Sequence, residues 1–336
     1  MLTPVIWRSA HYREEMSNTD AAPVEVTCGA SEVGSGVVLR PREVPLGGPR
    51  AMLVRRTLPQ RDRALIGAWC FIDHYGPQDV RSSAGMDVPP HPHTGLQTVS
   101  WLFNGEVEHR DSAGVHTMVR PGELNLMTAG AGICHSEVTT ADTTVLHGVQ
   151  LWVALPDAAR NTGRDFAHHI PTPRALGDAI VRVFLGDLAG ASSPVRTFSP
   201  LLGAQVDLAP GGAVALDIRP TFEHGVLLDQ GEVTAAGHRL TVAELAYQPP
   251  GHSRLHIANA GAVPARVLVL GGEPFTEELV MWWNFVGRSH DDIVTYRDLW
   301  QRNDIRFGEV DGYRGRTARL PAPPLPNGRL KPRGNH

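Results

Sequence analysis

Residues 102–130, LFNGEVEHRDSAGVHTMVRPGELNLMTAG, and residues 227–251, LLDQGEVTAAGHRLTVAELAYQPPG, follow one frame. Each opens on an apolar run, turns at Gly-Glu-Val (105–107 and 231–233), passes a Gly-containing hairpin loop, resumes an apolar run and ends on a Pro/Gly turn. Self-similarity of this kind marks a duplicated structural unit. Short apolar runs punctuated by turn residues make that unit a β-barrel.

The pattern extends outward from this pair. Apolar runs at 51–58, 68–75, 97–103, 116–119, 123–127 and 145–155 belong to a first unit, and runs at 180–185, 204–208, 213–218, 225–228, 239–246 and 265–270 to a second. Length agrees, because 336 residues at ~150 per domain give about two domains. Glycine (35) and proline (27) together exceed the ~12% of average usage, as many tight turns require. The expected fold is all-β, with two antiparallel, jelly-roll-like barrels. Ser289-His-Asp-Asp292 is a capping box followed by Ile293, Tyr296, Leu299 and Trp300 at helical spacing, which predicts one short C-terminal helix near 290–302.

The expected organisation is an N-terminal extension (1–37), a first barrel (38–160), a linker with the first strands of the second barrel (161–200), a second barrel (201–310) and a Pro-rich tail (311–336). The polar, Pro-containing segment 156–178 reads as the connection between halves, and the tail as extended or disordered. Residues 1–15 precede a second methionine, Met16, and read as a disordered extension or a misassigned start.

Composition excludes several chemistries. Lys331, in the tail, is the single lysine among 31 basic residues, so Schiff-base catalysis, P-loop and kinase-type sites have no candidate. A net charge of −4 provides no basic field for direct nucleic-acid binding. No run reaches the ~18 apolar residues of a membrane span, and the N-terminus has no signal-peptide core. Three widely spaced cysteines, Cys28, Cys70 and Cys134, form neither a disulfide framework nor a CxxC motif. A cytoplasmic, monomeric protein is expected, with Cys134 a buried, inert thiol.

Seven of the sixteen histidines fall between residues 74 and 147. In His91-Pro-His93 two imidazoles stand two apart, and in His135-Ser-Glu137 an imidazole and a carboxylate do. On a strand, residues i and i+2 share a face, so each pair is a ready clamp. Two such strands facing each other supply three neutral nitrogens and one carboxylate oxygen. That set suits a divalent transition ion, with imidazole favouring Fe, Ni, Cu or Zn and the carboxylate admitting Mn. Tetrahedral zinc would be fully occupied, whereas an octahedral ion would keep two open positions for a substrate and dioxygen. His109 and His116 read as structural, His168 and His169 as linker residues, and His224, His252 and His256 lack a clamp partner, so the second barrel is expected to carry no metal.

The run Gly85-x5-His91-x-His93-x3-Gln97 resembles the first cupin motif, and residues 89–114 and 120–137 closely resemble the signature of the pirins. FIDHYGP (71–77), GEPFTEELVMWWNFVGRSHDDI (272–293) and DIRFGEV (304–310) extend the resemblance over about residues 38–310. Pirins are bicupins whose N-terminal barrel holds a metal, usually iron, through three histidines and a glutamate. The resemblance therefore implies His91, His93, His135 and Glu137 as ligands. Gln97 stands where the family usually has glutamate, Leu96 where it has phenylalanine, and Thr94 where it has arginine. Gln97 is thus expected to orient a ligand or bound oxygen from behind, and Thr94 to remove a positive charge from the pocket rim.

Two functions follow from the resemblance. One is quercetin 2,3-dioxygenase-type opening of a flavonol's central ring with dioxygen and release of carbon monoxide. Glu137 would take the proton of the flavonol hydroxyl, and Trp101, Phe103, Leu124 and Met127 would form an apolar slot. The other is an iron-dependent regulator that binds a transcription factor or a metabolic enzyme without turnover.

Overall fold

A computed structural model describes residues 36–46, 52–81 and 85–334. The expectations for residues 1–15 and for Cys28 lie outside the described residues.

Two halves repeat one architecture. In the first, a seven-stranded antiparallel sheet runs in the order Asp165–His169, Leu124–Thr128, Leu96–Asn104, Val145–Ala154, Trp69–Asp79, Met52–Leu58, Arg42–Leu46. A four-stranded sheet, Asp87–His93, Ile133–Thr139, Val107–Asp111, His116–Val119, faces it. In the second half the seven strands are Val37–Leu39, Leu245–Gln248, Glu223–Gln230, Ala265–Gly272, Leu201–Leu208, Ala179–Leu185, Arg174–Leu176. Its four-stranded sheet is Ala213–Asp217, Arg254–Asn259, Val233–Ala235, His238–Leu240. The strands correspond one to one, as the internal repeat predicts. Gly105 and Gly231, the glycines of the two Gly-Glu-Val turns, adopt φ of +87° and +90°, a conformation that favours glycine.

The run 239–246 differs from its expectation. It divides into His238–Leu240 and Leu245–Gln248 at a turn where Ala243 takes φ +67° and the Thr241 amide donates to Glu244. The segment 156–178 is also more than a linker. Asp165–His169 pairs with Leu124–Thr128 at the edge of the first sheet, and Arg174–Leu176 begins the second sheet. An edge strand exposes one face to water, so its sequence is polar and lacks a core signal.

The halves exchange their ends. Val37–Leu39 pairs with Leu245–Gln248 of the second sheet, whereas the chain after Leu279 returns to the first barrel. The helix His290–Gln301 starts on the predicted capping box, with the Asp292 amide donating to Ser289 Oγ at 3.1 Å and the Ser289 amide to Asp292 Oδ2 at 3.2 Å. Its buried residues Ile293, Tyr296 and Trp300 join Val54, Tyr75 and Val88 in the first barrel's core. The tail is extended but docked: Trp300 Nε1 donates to the Leu320 carbonyl (2.8 Å), and the Leu320 amide donates to the Pro90 carbonyl (2.9 Å).

Between the halves the outer faces of the two large sheets meet. Trp69, Val99, Trp101, Val149 and Leu151 pack against Phe184, Leu227, Leu245 and Leu268 in one core. Burial on both faces explains why the Leu96–Asn104 strand is closed to solvent from Leu96 to Leu102.

Candidate metal centre

The Asp87–His93 strand pairs antiparallel with Ile133–Thr139, so that His91 lies opposite His135. Alternation then brings three imidazoles together inside the first barrel, each about 1% exposed. Ring centroids are 4.3 Å apart for His91 and His135, 5.0 Å for His91 and His93, and 4.9 Å for His93 and His135. His91 Nδ1 lies 2.9 Å from the Pro89 carbonyl, to which it can only donate, and this leaves Nε2 as a lone-pair atom. His93 Nε2 and His135 Nε2 face each other at 3.0 Å. Burial pushes the His91 ring down to about 4 and the His93 and His135 rings well below their ordinary value, so all three are neutral at pH 7. Neutral nitrogens converging in a dry site are the donor set of a borderline transition ion, and the residues fit one.

Glu137 is adjacent. The pairing shifts register between His135 and Glu137, and the Glu137 carboxylate lies within 4.8 Å of His135 and His109. Burial raises its pKa against the opposing influence of His109 and of Ser100, whose Oγ donates to Oε1 at 3.3 Å.

His109, expected to be structural, belongs to the centre. Its Nδ1 is 3.5 Å from His135 Nδ1, and its Nε2 is 3.0 Å from Asp111 Oδ2. Asp111 in turn accepts the amides of Ala113 (2.8 Å) and Val115 (3.2 Å). A carboxylate, an imidazole and His135 thus form a chain that fixes the orientation of the innermost ring. The signal was present: His109 and Asp111 are two apart on a strand whose register sets them opposite Glu137 and His135.

His91, His93 and Glu137 line a cavity of about 20 Å³ together with Phe71, Asp73, Met86, Gln150 and Trp152. Phe71 and Trp152 stack at 4.0 Å with their planes 12° apart. Asp73 is held by Arg56 through two hydrogen bonds of 2.7 and 2.8 Å.

The residues expected to form the pocket lie elsewhere. Trp101, Phe103 and Leu124 belong to the core between the halves, where Trp101 Nε1 donates to Gln205 Oε1 at 2.9 Å. Gln97 has the strand parity of Val99 and Trp101, and its Nε2 donates to Thr128 Oγ1 at 2.9 Å instead of reaching a ligand. The opposite parity turns Ser100 toward Glu137. Met127 packs in the cluster that includes Phe71 and Trp152 but does not line the cavity. Thr94 is buried, its carbonyl accepting the Val286 amide at 3.0 Å, so position 94 is covered by the returning C-terminal chain and is not a rim.

A second histidine group bridges the halves. His74 Nε2 and His147 Nε2 lie 2.6 and 2.7 Å from Asp229 Oδ1, and Arg266 Nη1 lies 3.2 Å from Asp229 Oδ2. Burial alone would raise the Asp229 carboxyl, but hydrogen bonds from His147 and His74 outweigh it and hold the pKa at about 2. With Arg266 neutralising the carboxylate, the group is complete as an ionic latch.

In the second barrel the strands equivalent to the two clamps, Ala213–Asp217 and Arg254–Asn259, turn Val214, Leu216, Leu255 and Ile257 inward. Among the described residues no cluster of metal-binding side chains lies wholly within that half.

The sequence profile of the pirin family matches residues 51–153, and that of the pirin C-terminal cupin domain matches residues 203–308. A Pseudomonas aeruginosa protein provisionally named a quercetin 2,3-dioxygenase is 42% identical over 90% of each chain. The chain belongs to the pirin family. A pirin-like protein of Caulobacter vibrioides is 34% identical over 77% of this chain and 91% of its own. Among solved structures, quercetin 2,3-dioxygenase from Acinetobacter baumannii superposes with a TM-score of 0.83 at 37% identity, covering 90% of this pirin and 98% of that protein. A bacterial pirin from Escherichia coli in complex with nickel(II) shares the fold, with a TM-score of 0.57 at 18% identity over 71% of this chain and all of the other. No helix among the described residues is long and apolar enough to cross a membrane.

Proposed function

We propose that this pirin is a metal-dependent dioxygenase that opens the central ring of a flavonol at His91, His93, His135 and Glu137. The observation that carries the reading is the convergence of His93 Nε2 and His135 Nε2 at 3.0 Å beside a buried glutamate. The similarity to proteins named quercetin 2,3-dioxygenases supports the substrate class. Iron is the proposed ion, with Mn, Ni, Cu and Zn as the alternatives that the donor set admits.

When bound, the ion supplies Lewis acidity toward a substrate hydroxyl and, if redox-active, electron exchange with dioxygen. Glu137 accepts the proton of the flavonol hydroxyl. Ser100 Oγ, 3.3 Å from Glu137 Oε1, orients the receiving oxygen. The stacked Phe71 and Trp152 provide a flat apolar wall for the substrate rings. One flavonol and one dioxygen give one carboxylic acid ester and one carbon monoxide.

The cavity of about 20 Å³ has room for a water, so a flavonol fills the site only after the lining side chains separate. That closure also favours the second reading, an iron-dependent regulator that binds a transcription factor or a metabolic enzyme without turnover. Parallel recording of oxygen uptake and flavonol absorbance, with the protein reconstituted separately with Fe, Mn, Ni and Cu, decides between them. The dioxygenase consumes the two in equal amounts, and Glu137→Ala slows both. Consumption of neither with any of the four ions selects the regulator.

A further inference from the structure

The second barrel carries a cavity bounded by Arg174, Leu176, residues 187–192 and 215–219, Leu202, Phe222 and His224. It has a volume of about 660 Å³, within the ~300–1,000 Å³ of small-molecule sites. Its walls include Leu188, Leu202, Ile218 and Phe222. His224 also lines it, 1% exposed, and neither of its ring nitrogens has a hydrogen-bond partner of proper geometry, although the Phe222 backbone stands beside it. A buried imidazole without partners is costly, so a native protein keeps one where something else completes it. Burial lowers its pKa to about 4, leaving a neutral ring that both donates and accepts at pH 7.

At the exposed end of the same cavity stands Arg174. Its guanidinium forms no ion pair among the described residues and rests 3.4 Å from the Gly190 carbonyl, whereas the neighbouring Arg219 is engaged by Asp187. Asp187 and Asp217 also line the cavity, but each is engaged by an arginine, Arg219 and Arg254. Arg174 at the mouth, apolar walls with a phenylalanine ring, and a neutral hydrogen-bonding ring deep inside describe a ligand with three matching parts.

We propose that the second barrel binds a small hydroxylated aromatic carboxylate, with the acid group on Arg174, the ring between Phe222 and the aliphatic wall, and the hydroxyl on His224. This site is independent of the metal centre and of the dioxygenase reading. It gives the second barrel a role as a binding module.

Calorimetric titration of the full metal-loaded chain with 4-hydroxybenzoate, benzoate and phenol tests it. Saturable binding of 4-hydroxybenzoate at one site per chain is expected, with benzoate and phenol each about tenfold weaker for want of one hydrogen bond or ion pair. His224→Leu abolishes the preference over benzoate, and the exposed Arg174→Gln abolishes the preference over phenol. Stripping the metal with a chelator leaves the titration unchanged. The proposal is overturned by no saturable binding to the wild type at millimolar ligand, by a preference over phenol that survives in Arg174→Gln, by a preference over benzoate that survives in His224→Leu, or by binding that disappears with the metal.

Discussion

His93 Nε2 stands 3.0 Å from His135 Nε2, on rings that burial keeps neutral. At that distance two neutral rings share one N–H···N proton or, with both lone pairs turned inward, a cation. His91 Nε2, freed by the hydrogen bond from its own Nδ1 to Pro89, completes the triangle. The centre is organised for a cation, and its supports extend outward to Asp111 on one side and to the docked tail at Pro90 on the other.

Metal removal is expected to destabilise the first barrel. An ion present at a thousandfold excess over its dissociation constant contributes about 4 kcal/mol to the folded state. Chelator treatment therefore lowers the thermal midpoint by several degrees, and readdition restores it, as scanning calorimetry measures.

Ser100→Ala removes the hydroxyl that donates to Glu137 Oε1. As a positioning residue, Ser100 acts through the carboxylate. Its loss raises the Glu137 pKa further, because a hydrogen bond that favours the charged form disappears. The expected result is unchanged metal content with the acidic limb of the pH–rate profile displaced to higher pH, while a merely structural role would leave the profile in place.

The latch at Asp229 links stability to acid. Its carboxyl sits at about 2 in the folded chain and at ~3.9 when unfolded, so its contribution is present above pH ~4 and is lost as the pH falls toward 2. His74, held below its ordinary value by burial, acts in the same direction from higher pH, since below ~6.5 the unfolded chain takes up its proton first. Asp229→Asn leaves His74, His147 and Arg266 without their shared carboxylate and costs about 3 kcal/mol at pH 7. Urea midpoints recorded from pH 3 to 8 report both the loss and the flatter acid limb of the variant.

Ending the chain at residue 318 removes Leu320, exposes Trp300 and frees the Pro90 carbonyl next to His91. A loss of about 3 kcal/mol is expected from the emptied core. Faster release of metal on dialysis would accompany it, as elemental analysis of the retained ion records.

The barrels and the three-histidine clamp were legible because each depends on a local rule: turn residues between short apolar runs, and side chains two apart on one strand face. The exchange of ends was not, since nothing in the 279–334 stretch states which barrel its Trp282, Phe285 and Trp300 will cover. His109 was missed for want of register, which only pairing between distant strands supplies. Trp101 and Gln97 were misassigned because a sheet buried on both faces gives no polar alternation to tell inside from outside. His74, His147 and Asp229 meet across 155 residues of sequence, beyond the reach of any spacing argument.

Elemental analysis of the purified full chain and of His135→Ala is the most direct test of the central claim. One equivalent of a transition ion per wild-type chain and almost none in the folded variant is the predicted result, because the Asp229 group is already neutralised by Arg266. A full equivalent retained in His135→Ala, or a wild-type chain that takes up no ion on reconstitution, contradicts it.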